Sequence, residues 1–392
     1  MMITQWLRPS ERRSQFFTVV SLGIAIIWAL YRTARSLQIH SAAMHETPTH
    51  DLYTYYSIWY VLCHRDCADI ALRGSLYLPH TWLFFTPLFT FGWSAARAIM
   101  FCLNVASAVY ICLRLSRLVG LRGIQSWLLL AFFWSWSSTG NVLGLGNLAL
   151  VCLAAVLAAY PFESRVQGLW LAFSAMKQSL VFPLYFLLLF KRPKSLIVPF
   201  AIFILGGLVI LWWTRLNLRE GLGVLRSWVG NVSNWTTVDY TCLRRPLALF
   251  IQNKRVSFMV MWGIWFLLFT ITIRWIKDPV ALLAGLLLLC LLPMYHNAYD
   301  MVVAVPAMAI FLKRCPPFWS AAMTFALAWD PMRQLSRWLP AGPCRNLSEA
   351  LEVSYLPCLI LVFFGGLLYL ETRSRPEPGA ALGGEHAPLS PG

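Results

Sequence analysis

Residues 169–189 read LWLAFSAMKQSLVFPLYFLLL, an apolar run whose one charged residue is Lys177 and which leads into Lys191-Arg192-Pro193-Lys194. About 20 apolar residues cross a bilayer as a helix, because lipid offers the backbone no hydrogen-bond partner. The stretch from 166 to 190 is long enough for one span, yet the turns before and after it are both basic. Short basic turns collect on the cytoplasmic side of a membrane. The run is therefore divided near Lys177, so that both turns stay on one side.

The rest of the chain has the same character. Of its 392 residues, 59% are hydrophobic and 12% charged, against about 25% charged in a soluble domain. Roughly a dozen apolar stretches of spanning length can be marked. The first runs from Gln15 to Arg35 behind Arg8, Arg12 and Arg13, with no small-residue cleavage site after it, and reads as an uncleaved first helix. Basic turns at Arg114 to Arg122, Lys191 to Lys194 and Lys313-Arg314, with Arg274, Lys277, Arg373 and Arg375, close a threading with both termini inside. The expected fold is all-α, a polytopic transmembrane helical bundle of about 12 helices. Residues 1–371 form one membrane-embedded domain, and 372–392, rich in Pro and Gly, form a disordered cytoplasmic tail. Residues 80–93 are too short to cross and are expected to be embedded or interfacial.

This threading places the loop from about 36 to 93, the turn from Gly140 to Asn147, Lys177, the loop from about 215 to 255, and His296 on the outer face. Asp51, Asn147, Lys177 and His296 then share one side. The net charge of +16 would suggest nucleic acid in a soluble protein, but half of the 32 basic residues sit in the cytoplasmic turns, where lipid headgroups explain them. The other sixteen fall outside, with Arg215, Arg219, Arg226, Arg244, Arg245, Lys254 and Arg255 in one loop. They point to an anionic ligand at the outer face, although long external loops also carry positive charge without function.

Ten acidic residues are available to an external site: Glu46, Asp51, Asp66, Asp69, Glu220, Asp239, Asp300, Asp330, Glu349 and Glu352. Asp51 heads an aromatic run, Leu52 to Tyr60, that would lie along the membrane surface as a helix, and it also reads simply as that helix's N-cap. His296 marks a membrane turn. Asp300, four residues on, can share its helical face and orient the ring. Lys177 within an apolar stretch is costly unless it is paired or faces water, which favours a functional role. Cys63 and Cys67, in the string Cys-His-Arg-Asp-Cys, match no usual zinc spacing, and a disulfide or two free thiols explains them better than a metal. Asn231, Asn234 and Asn346 head glycan-acceptor triplets.

The order of these parts resembles the polyprenol-phosphate-sugar-dependent glycosyltransferases of family 87, in the GT-C class of multi-pass enzymes. The matching pieces are Asp51-Leu52-Tyr53 with Tyr56, Tyr77-Leu78-Pro79, Thr86-Pro87-Leu88, Gly144-Leu145-Gly146-Asn147, Ala175-Met176-Lys177 and Pro293-Met294-Tyr295-His296, covering about residues 15 to 315. The family's Gly-Gln-x-Asn element has Leu145 where glutamine is usual, and Gln178 follows Lys177 in place of proline.

The resemblance implies a GT-C-like fold with interfacial helices in the first external loop. It implies an inverting transfer of a hexose, mannose first among them, from a polyprenyl-phosphate donor to a hydroxyl of a glycolipid or glycan acceptor. Asp51 would be the general base. His296, Lys177, Arg244, Arg245 and Arg255 would hold the donor phosphate. Tyr53, Tyr56, Asn147 and Asp300 would line the substrate. No cofactor or metal is expected, and the partners are donor, acceptor and membrane lipids, without nucleic acid. A bacterial inner membrane is the working location, with the endoplasmic reticulum the alternative. The rival readings are a transporter or flippase for an anionic lipid or solute, and a nonenzymatic subunit of a glycosylation complex.

Overall fold

The computed structural model describes residues 51–64, 80–235, 242–293, 298–315 and 343–373, together with isolated positions from 19 to 38 and at 72 and 77. Among the described residues every regular element is helical. In chain order these are α1 (Asp51–His64), α2 (Thr81–Phe89), α3 (Trp93–Val119), α4 (Ile124–Ser135), α5 (Ser137–Leu145) and α6 (Ala149–Ala159). Next come α7 (Arg165–Ser174), a 3-10 segment Ala175–Leu180, α8 (Phe182–Lys191), a 3-10 turn Pro193–Leu196, and α9 (Ile197–Thr214). The remainder are α10 (Leu218–Trp235), α11 (Arg244–Ala248), α12 (Lys254–Trp275), α13 (Pro279–Cys290), a 3-10 segment Ala298–Ala304, α14 (Val305–Arg314) and α15 (Pro343–Arg373).

Among the described residues, four helical stretches are long and apolar enough to cross a membrane: Trp93–Val119, Pro193–Thr214, Lys254–Trp275 and Ser354–Arg373. The pair Ser138–Leu145 and Ala149–Ala159, bent by 110° at its break, makes a fifth if it is counted as one span. Residues on these helices turn outward as large apolar side chains, Ile204, Leu205, Leu208 and Trp212 on α9 and Met259 and Leu267 on α12. Such a face suits hydrocarbon and would be costly in water. Most of the expected first helix and the whole of 374–392 lie outside the described residues.

The shorter apolar helices do not run on as spans. Arg192 donates to the Pro161 carbonyl (2.9 Å) and pairs with Glu163 (3.2 Å), while the Tyr185 hydroxyl donates to the Leu171 carbonyl (2.7 Å). Residues 165–191 therefore leave and return at one place, a hairpin with the 3-10 segment and Lys177 at its tip. Local chemistry sets each piece: Ser164 and Gln167 form a capping box at the start of α7, Lys177 leaves helical geometry (φ −115°, ψ 76°), and Pro183 opens α8. Each arm of ten residues rises about 15 Å, half a bilayer core.

Helices α13 and α14 repeat this plan. Asp278 caps α13 by accepting from the Val280 and Ala281 amides, Pro279 occupies the first turn, and Arg314 at the end of α14 returns to Asp278 (3.1 Å). Asp300 falls in the 3-10 segment at the far end of this second hairpin. Residues 80–93, expected to be embedded, form the short α2 and the first residue of α3. Trp82, Phe85 and Phe89 of α2 are buried, and Phe84 lies against Phe173 of α7 (4.3 Å).

The basic turns meet at the open ends of the hairpins. Lys313 donates to the Gly120 carbonyl (2.9 Å), Arg114 to that of Tyr160 (3.2 Å), and Arg314 bridges Asp278 and Glu371 (2.5 Å). Glu371, almost fully buried, also accepts from the Lys277 and Asp278 amides (3.3 and 3.2 Å), so one cluster ties α13, α14 and α15. Replacing Arg314 with Ala is expected to lower stability by about 1–2 kcal/mol, between the values for exposed and buried pairs, since Glu371 keeps its two backbone donors. Thermal unfolding in detergent checks this. An unchanged transition would mean that apolar packing alone closes this end.

Candidate active site

Four interruptions of helix converge. Asp51 begins α1, Asn147 lies in the break between α5 and α6, Lys177 tips the first hairpin, and Asp300 tips the second. Asn147 Nδ2 donates to Asp51 Oδ2 (2.6 Å), Lys177 Nζ donates to Asn147 Oδ1 (3.1 Å), and Lys177 Nζ pairs with Asp300 Oδ1 (2.5 Å). The result is a continuous line of contacts from the Asp300 carboxylate to the Asp51 carboxylate. Asn147 and Asp300 are fully buried and Lys177 nearly so, whereas Asp51 is half-exposed at the outer end of the line.

The orientation of the Asn147 amide follows from its neighbours. Its oxygen faces only donors, the Lys177 ammonium and the Ala149 amide (2.9 Å), so its nitrogen must face the acceptor Asp51. Accepting from Ala149, two residues on, Asn147 also starts α6. The positive ends of α1 and α6 thus lie beside the Asp51 carboxylate. Among the described residues, Asp51 Oδ1 has no hydrogen-bond partner.

Gly146 makes the break possible. Its φ of +66° belongs to the left-handed region, and a Cβ there would sit 2.8 Å from Leu52 Cβ. Only glycine lets α1 approach the turn closely enough for Asp51 to reach Asn147. Gly146→Ala is expected to cost about 1–2 kcal/mol of backbone strain, plus displacement of α1. Adding Leu52→Ala should relieve the displacement alone. Unfolding of the single and double variants checks this, and equal stability of Gly146→Ala and wild type would contradict the close approach.

Two tyrosines extend the line sideways. The Tyr55 hydroxyl lies 3.4 Å from Asn147 Nδ2 and 2.6 Å from the Tyr77 hydroxyl. Burial, and next the negative charge of Asp51, push the Tyr77 phenol well above its ordinary value, so it remains a proton donor. Neither tyrosine is assigned to the site from sequence, which favours Tyr53 and Tyr56. Tyr53 is exposed and packs edge-on to Trp93 (5.5 Å), and Tyr56 packs against Trp59, Phe89 and Trp93. Only Tyr55 of the three is buried and turned toward Asn147.

The residues expected to hold a phosphate divide. The ammonium of Lys177 engages Asp300 and Asn147. Asp300, expected to share a face with His296, has Lys177 as its ion-pair partner. The sequence signal is Lys177 itself, because a lysine in an apolar run needs a carboxylate, but it does not say which one. Half-buried Arg244 stands over the Phe258 ring (5.8 Å), and the adjacent Leu243 amide donates to the Leu292 carbonyl (2.9 Å), four residues before His296. Arg255 is exposed in the first turn of α12, where Asn253 caps the helix. His296, the Arg245 side chain and Cys67 lie outside the described residues, and Cys63 is a free thiol.

Neither a protein-family model, nor a curated protein, nor a solved structure matches this chain. The site is therefore read from its own geometry. A half-exposed carboxylate is held from behind by an amide that is itself fixed by a buried ion pair. Such an arrangement can orient one carboxylate oxygen toward a hydroxyl without letting the group rotate away.

Proposed function

We propose that the chain is an inverting membrane glycosyltransferase, resembling family 87 of the GT-C class, that moves a hexose from a polyprenyl-phosphate donor to a hydroxyl of a glycolipid or glycan. The observation that carries this reading is Asp51, held at Oδ2 by Asn147 and offering Oδ1. In the proposed step Oδ1 takes the acceptor hydroxyl's proton as that oxygen attacks the anomeric carbon from the face opposite the phosphate. The bond from the anomeric carbon to the phosphate oxygen breaks, and polyprenyl phosphate leaves with the electron pair. Arg244, beside the backbone bond from Leu243 to Leu292, is proposed to meet that phosphate, and His296 is proposed with it on the resemblance alone. Lys177 acts through Asn147, as a positioning residue.

In this reading the helices of spanning length cross the bilayer, both termini lie inside, and α1 lies at the outer membrane boundary, where a lipid tail can stay in the bilayer while its sugar meets Asp51. The half-length hairpins that end at a buried ion pair also favour a second reading, transport, because interrupted helices build the central sites of transporters. Purified protein in lipid vesicles, given labelled polyprenyl-phosphate-mannose and a glycolipid extract, separates the two. Label appearing covalently in the acceptor fraction is the expected result. Label that changes leaflet without a new bond would favour transport.

A further inference from the structure

The corner where α9 meets α10 lies apart from the Asp51 line and has its own chemistry. Span α9 ends with Arg215 in the left-handed region (φ 58°). The chain is then restarted by a reciprocal pair: Glu220 accepts from the Asn217 amide (2.7 Å) and Asn217 Oδ1 from the Glu220 amide (3.0 Å). This capping box sets α10 going in a new direction and uses the only carboxylate of the segment. On the inner face of α10, Gly221 lies so close to Leu211 that an added Cβ would come within 2.7 Å of it, and Val224 is buried. The helix is thus seated on the end of α9.

Its outer face is apolar and uncovered. Leu218, Leu222, Leu225 and Val229 are 67%, 59%, 41% and 60% exposed, and at about 100° per residue they fall in one stripe roughly 60° wide. Arg219 and Arg226, both exposed, fall along one edge of that stripe, and Arg215 stands exposed at the corner. None of the three has an ion-pair partner among the described residues. Beside them an open hollow of about 490 Å³ is lined by Leu211, Trp212, Trp213, Arg215, Leu216 and Asn217, and Trp212 is among the most exposed large side chains. Tryptophan at the end of a span, arginine beside it and a leucine stripe between them are the groups that settle at a lipid headgroup boundary.

We infer that α10 is an in-plane helix that seats on the anionic lipid surface of the bilayer, with Leu218, Leu222, Leu225 and Val229 in the acyl boundary and Arg215, Arg219 and Arg226 on headgroup phosphates. This rests on α9 being a membrane span and is independent of glycosyl transfer. Charge complementarity decides the occupant, because three cations with no ion-pair partner among the described residues flank the apolar stripe and each gains from an anionic surface.

The test is hydrogen exchange of the full-length protein in nanodiscs, one set wholly zwitterionic and one with roughly a third phosphatidylglycerol. Exchange in residues 218–230 should slow by about tenfold in the anionic discs, and the Arg219→Gln, Arg226→Gln double variant should lose that difference while unfolding at the wild-type temperature. Protection independent of lipid charge would overturn the inference, as would protection that grows with protein concentration, which would assign the stripe to a second copy. Exchange in α9 and α12 is read in the same experiment. Rapid exchange there would remove the membrane reading itself, whereas slow exchange there with an unprotected α10 would remove only this inference.

Discussion

Asp51→Asn is expected to lower sugar transfer at least about a hundredfold, the lower end of what a positioned general base contributes, with the fold and donor binding intact. Asparagine keeps the size of the side chain and can present its amide oxygen to Asn147 Nδ2, so the 2.6 Å contact has a successor. The substitution removes the capacity to accept the hydroxyl's proton. The loss should therefore fall on kcat rather than KM. Asp51→Glu keeps the base but moves it by one methylene, and intermediate activity is expected. If Asp51→Asn transfers sugar at the wild-type rate, Asp51 serves only to hold the start of α1 against Asn147.

The largest effect on stability is expected from Lys177→Met. Asp300 is fully buried, and the substitution takes the ion-pair partner away from a carboxylate in an apolar surrounding, a cost of about 3–5 kcal/mol. Lys177→Met combined with Asp300→Asn removes both charges and should recover most of that loss. The double variant should still transfer sugar poorly, because Asn147 no longer has the ammonium that holds its oxygen. Stability and activity thus separate: thermal unfolding reports the charge, and kcat reports the positioning of Asp51 through Asn147. A Lys177→Met protein as stable as wild type would contradict the pairing of Lys177 with Asp300.

What could be read in the chain follows from the range of each interaction. The break of 166–190 at Lys177 was legible because basic turns flank it and one cation sits at its middle, and Arg192 returns to Pro161 and Glu163; the arms, expected to cross, are only ten residues each. Asp51, Asn147 and Lys177 were singled out as polar groups at helix starts and breaks, and they touch. The pairing of Asp300 with Lys177 was not legible, since 123 residues separate them and His296 was a nearer neighbour in sequence. Tyr55 was missed for a different reason. The run from Leu52 to Tyr60 is aromatic on every side, so periodicity does not say which face turns inward; the close seat of Leu52 on Gly146 does. The half-length of α13 and α14 was hidden likewise, because Pro279 to Cys290 is apolar throughout and a half-span has the same composition as part of a full one.

The central claim is that Asp51 serves a reaction in which phosphate on a lipid carries the sugar. Its most direct test is transfer by the purified protein from a labelled polyprenyl-phosphate hexose, set beside the same hexose on a nucleotide diphosphate and with one glycolipid acceptor extract. Transfer from the lipid-linked donor alone, with inverted configuration at the anomeric carbon, is the predicted result. Transfer from the nucleotide sugar, retention of configuration, or no transfer from either donor would contradict it.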